Sequence, residues 1–175
     1  MKTSRKVALG GMVTALSLVL MFLTGVFPFA TFALPGIAGL LLIMVVIEMG
    51  CRQAVVVYVA VSILAVFITP DREAALFYVI FLGYYPIVKS KLEQLKSRVV
   101  EYILKFALFT AAVAVSYVGM VYLFHLEEIV PGPIWLVAGY LFFAFTFWLY
   151  DQVMSMLIEL YLKKIRPNYL KKLFK

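Results

Sequence analysis

Apolar residues fill long unbroken runs along this chain, and polar or helix-breaking residues fall in short clusters between the runs. The pattern predicts six helices, over residues 7–24, 35–49, 53–68, 70–91, 100–124 and 133–162. Their apolar residues are not confined to one stripe, as they are in a helix lying on a water-soluble core. The runs range from 15 to 30 residues, around the ~20 that cross a bilayer. The clearest stretch is FPFATFALPGIAGLLLIMVVIEMGCR, from Phe27 to Arg52. An aromatic loop with Pro28 comes first, Pro35 opens the next helix, and Glu48, Met49 and Gly50 close it. Further on, Thr69-Pro70 reads as a cap and a first-turn proline, Pro86 predicts a bend where its ring displaces a backbone hydrogen bond, and Pro131-Gly132-Pro133 marks the last turn.

Composition strengthens this picture. The chain is 65% hydrophobic and 14% charged, against roughly 45–50% and 25% in soluble domains. The apolar surface is too large to be hidden from water, so lipid is the expected solvent. Six spans occupy nearly all 175 residues, which predicts one transmembrane domain over 1–175 and an all-α, six-transmembrane-helix bundle. Lys2, Arg5 and Lys6 precede the first run, but no small-residue cleavage site follows it, so it is expected to stay as an uncleaved helix.

The net charge of +7 would point to nucleic acid in a soluble protein, but here its location points elsewhere. With the N-terminus in the cytoplasm, fifteen of the sixteen lysines and arginines fall on the cytoplasmic side and only Arg72 lies outside. Asp71, Glu73, Glu127 and Glu128 occupy the outer loops. This asymmetry is the one that orients membrane helices. It predicts cytoplasmic N- and C-termini and a multi-pass protein of the plasma membrane, with no nucleic-acid partner.

Catalytic patterns are missing. There is no GxxxxGK[ST] phosphate loop, no HExxH and no GxSxG, and the single histidine and single cysteine are far apart. The chain is therefore expected not to be an enzyme, with no cofactor and no metal. Candidate ligand residues gather instead at the outer turns. Phe29 and Phe32 would roof a pocket, Asp71 and Arg72 would edge it, and His125, Glu128 and Trp135 would close its other side. Tyr78, Tyr122 and Tyr140 fall within a few turns of the same face. The plainer reading of each is a solvated loop or an interfacial aromatic. Gly11 and Ala15 form a small-xxx-small pair suited to close helix approach, either inside the bundle or against a partner. Glu48 with Arg52, and Glu159 with Lys163, are spaced to pair across one helical turn.

From Lys6 to Ile68 the chain resembles the substrate-binding S component of energy-coupling factor (ECF) transporters. The likeness rests on the basic start, the small residues Gly11 and Ala15, the loop FPFATFALPGIAG and the glycine turn after Glu48 and Met49. The family's usual alanine-xxx-alanine has glycine at position 11 here. The resemblance implies a bundle that binds a vitamin or similar micronutrient at its outer side, with the first loop as a lid. It also implies a T component docking at Gly11 and Ala15, two separate ATPase subunits, and reorientation of the bundle within the lipid membrane. The alternatives are a scaffold of the rod-shape-determining type and an intramembrane lipid-modifying enzyme that uses Glu127 or Glu128.

Overall fold

The computed structural model describes residues 3–95, 97–124 and 133–164. The chain divides into two compact units, Met1–Glu128 and Ile129–Lys175. Among the described residues the regular structure is entirely helical.

The first unit holds α1 (Thr3–Leu23), α2 (Ala33–Met49), α3 (Cys51–Ile68), α4 (Arg72–Phe77), α5 (Tyr85–Leu92) and α6 (Arg98–Phe124). Four described segments of this unit and one of the second are long and apolar enough to cross a membrane: Lys6–Leu23, Cys51–Ile68, Arg72–Leu92, Arg98–Gly119 and Val137–Lys164. At 1.5 Å per residue an 18-residue helix such as α3 is about 27 Å long, near the ~30 Å hydrocarbon thickness. The shorter α2 has 17 residues. It lies innermost, touching α1, α3, α5 and the turn after α4. Its small residues Gly36, Ala38 and Gly39 are buried, which lets neighbouring backbones come close.

Burial in this unit runs opposite to the soluble pattern. Val55, Val56, Ile63, Val66 and Phe67 of α3 face outward, while Ser17, Thr24, Ser62 and Thr69 are buried. Outward aliphatic side chains at this density suit lipid rather than water. The core joins Val13 and Met21 of α1, Leu42 and Val45 of α2, and Val57, Val61 and Ala65 of α3 to Tyr78.

Several local details depart from the expectations. α2 begins at Ala33, two residues before Pro35. Thr69 ends α3 instead of capping the next helix, and the N-cap is Asp71. Its carboxylate accepts from two free first-turn amides, whereas the Thr69 hydroxyl has no partner among the described residues. The fourth span is interrupted rather than bent. A π turn runs over Tyr78–Leu82, closed by Gly83 N–H donating to Tyr78 O at 2.8 Å, and Pro86 sits in the first turn of a new helix, α5. Proline needs no amide partner there, so the break comes before it. Gly83 is required at the break, because a Cβ would lie 2.8 Å from the rings of Tyr58 and Tyr78.

Glu48 and Arg52 lie on two different helices, not one helical turn apart on the same helix, because Gly50, at φ 89°, ends α2 and starts α3 between them. Lys89 and Lys105, counted among the cytoplasmic cations, are buried and paired with acids.

The second unit consists of α7 (Pro133–Leu160), continued by a π turn over residues 161–164. Phe145 stacks on Trp148, and Lys163 donates to Glu159 as the spacing predicts.

Candidate functional site

The loops at one end of the first unit are fastened to each other. Thr31, between α1 and α2, donates its hydroxyl to Asp71 Oδ2 at 2.8 Å. The other oxygen of Asp71 accepts from the backbone amides of Glu73 at 3.0 Å and Ala74 at 3.1 Å. One carboxylate therefore caps α4 and straps the first loop down. Gly25 lies flat against Pro70, where a Cβ would come within 2.6 Å of the proline ring. Phe32 packs on Phe77 of α4 with ring centroids 4.7 Å apart, and Phe27 meets Phe29 edge-on at 5.8 Å. A single turn of 3-10 helix, Pro28–Ala30, stiffens the loop between these contacts.

Beside the strap lies an aromatic cluster. Tyr58 of α3 donates to Val79 O at 2.6 Å, and its ring is 6.2 Å from Tyr78 and 6.0 Å from Tyr84. Phe81 continues the cluster toward Tyr85 and toward Phe109 of α6. Tyr78 is fully enclosed, and its hydroxyl has no hydrogen-bond partner among the described residues; the same holds for Ser62 Oγ. A buried hydroxyl without a partner costs ~1–3 kcal/mol, and an intramembrane setting offers no water to relieve it.

No protein-family model, characterised protein or solved structure matches this chain.

The sequence candidates separate into five groups. Phe32, Asp71 and Tyr78 are joined through the strap and through Phe77, which immediately precedes Tyr78. Phe29 belongs to the same loop but is 88% exposed, and Arg72 is also exposed. Tyr140 is part of α7 in the second unit. Tyr122 lies in α6 and Trp135 in α7, but their side chains fall outside the described residues, as do His125 and Glu128 entirely. Gly11 and Ala15 are both on the exposed face of α1, and nothing lies within 4 Å of a Cβ built on Gly11. No group of acids, histidine and cysteine suited to a metal occurs among the described residues.

Sequence reasoning missed Thr31, Phe77, and the buried charges of α5 and α6. A threonine in a loop gives no signal of a partner forty residues away. The charges were legible in principle, since Lys89–Glu93 and Glu101–Lys105 both have helical pairing distance in sequence.

Proposed function

We propose that the chain is the substrate-binding component of an ECF-type uptake transporter, crossing the plasma membrane six times with both termini in the cytoplasm. The observation that carries the reading is the strapped first loop: Thr31 on Asp71 and Phe32 on Phe77 hold it against both ends of α4, beside the enclosed Tyr78. A loop fixed in this way suits a lid. The tyrosine cluster beside it, with a hydroxyl in need of a partner, suits an uncharged or weakly charged micronutrient with a flat aromatic part. The open face of α1 around Gly11 and Ala15 suits close approach by a helix of a T component, and the ATPase subunits would be separate chains. Binding would require only this chain, and release would follow when ATP hydrolysis elsewhere reorients the bundle.

The deciding experiment is mass spectrometry of small molecules released by heating the gently purified, detergent-solubilised protein. A vitamin-like compound near one per chain is expected. A protein that carries no small molecule and co-purifies with cell-wall machinery would overturn the reading in favour of a scaffold.

A further inference from the structure

We propose that α5 is a gate at the end of the first unit opposite the strapped loop, held shut by a charge lock in which two buried lysines meet the solvent-edge carboxylate of Glu93. The helix has only eight residues. It is cut from α4 by the π turn and by Gly83-Tyr84, and it ends at Glu93, whose amide donates to Lys89 O at 3.0 Å. A short rigid segment with a joint at each end is the kind of element that moves as a body.

Two local ion pairs, one at the end of α5 and one on α6, are joined by a single contact between Lys105 and Glu93. Lys89 Nζ of α5 is 2.7 Å from Glu93 Oε1, and Lys105 Nζ of α6 is 3.7 Å from the same oxygen. Lys105 also pairs with Glu101 at 2.8 Å. Glu93 is thus the group that both ammoniums share. The side chains of Lys89, Lys105 and Glu101 are 0%, 3% and 8% exposed, whereas that of Glu93 is 35% exposed.

As simple adhesive this arrangement is a poor choice, because well-packed apolar side chains usually hold a buried seam at least as well. As a lock it has an advantage. Paired, the charges cancel and stay buried; separated, each can be hydrated through the side where Glu93 already meets solvent. An apolar seam offers no comparable second state. Intramembrane ionisable groups are functional more often than structural, and broken helices are tolerated there where they are shielded from lipid. The inference rests on the uptake reading only for what passes the gate, namely substrate leaving away from the lid.

The chain carries its own reporter. Cys51 Sγ, at the start of α3, lies 3.4 Å from Ser90 Oγ, and Ser90 follows Lys89 on α5. Ser90 donates its own proton to Ile87 O, so the thiol is the donor in that contact. Cys51 is the single cysteine of the sequence. Cys51 is half-buried, and movement of α5 would expose it further.

The test is the rate of N-ethylmaleimide labelling of Cys51 in the full chain, in lipid nanodiscs, for wild type and Glu93→Gln. Loss of the carboxylate that both ammoniums share is expected to raise the rate about tenfold. Lys105→Gln, which removes the α6 side of the bridge, is the second variant and should act in the same direction. Faster labelling with an unchanged gel-filtration profile supports the gate. A folded Glu93→Gln protein that melts earlier yet labels at the wild-type rate reduces the network to packing and overturns it. Failure to find a bound small molecule would remove the uptake function and leave this labelling result standing.

Discussion

Tyr78 shows how far a single residue can be read. From sequence it is one of several tyrosines near the outer face, and its position alone does not separate a ligand contact from an interfacial ring. In the fold it is fully enclosed beside Tyr58, with an unpartnered hydroxyl. Tyr78→Phe removes a buried polar atom and leaves the ring in place. Unfolding in detergent is therefore expected about 2–4 °C higher, for a gain near 1 kcal/mol. If the hydroxyl serves the ligand, the same variant should hold less of the co-purifying compound. A lower unfolding temperature would show that the hydroxyl has a partner after all. Gly11 gives the complementary case, a residue with open space around its Cα. Gly11→Leu is expected to raise stability by about 0.5–1 kcal/mol, since Gly11 lies within α1 and leucine favours helix over glycine, while abolishing co-purification with a T component. A variant that fails to fold would instead place that face inside the bundle.

At the level of elements, most helices were legible and their joints were not. Apolar length alone locates α1, α2, α3 and α6 to within a few residues of the expected bounds. The fourth span reads as one bent helix, because Pro86 is visible in the sequence while the π turn before it depends on how Tyr58, Tyr78 and Gly83 fit together. Likewise Thr69 looks like a cap until Asp71 is seen to satisfy two amides and Thr31 at once. That triple role separates two variants. Thr31→Val should free the first loop and leave α4 intact, seen as faster hydrogen exchange over residues 24–32 with little change in melting. Asp71→Ala should do both, with a cap loss of about 0.5–2 kcal/mol in addition. Equal effects from the two would mean that the strap and the cap are one unit.

For the molecule as a whole, the sequence conveys its solvent and the coordinates convey how that solvent is met. Val, Ile and Phe cover the outside of α3, and hydroxyls and charges turn inward. Charge asymmetry carries the orientation, and it can be checked directly. On a Cys51→Ser background, Arg72→Cys should react with an impermeant maleimide from outside whole cells and Arg98→Cys only after the membrane is opened; both positions are exposed. The reverse result would invert the topology and move the strapped loop to the cytoplasm. A count of cations by side carries no pairing information, which is why the neutralisation of Lys89 and Lys105 by Glu93 and Glu101 is visible only in the fold.

The enclosure of α2 bears on biogenesis. It emerges from the ribosome after α1 and before α3, and it touches both. Its glycine- and alanine-lined flank then meets two neighbours early, while the surfaces it shares with α5 wait for about forty more residues to be synthesised. A three-helix hairpin assembled first, with the later segments closing around it, is the order of assembly that this arrangement favours.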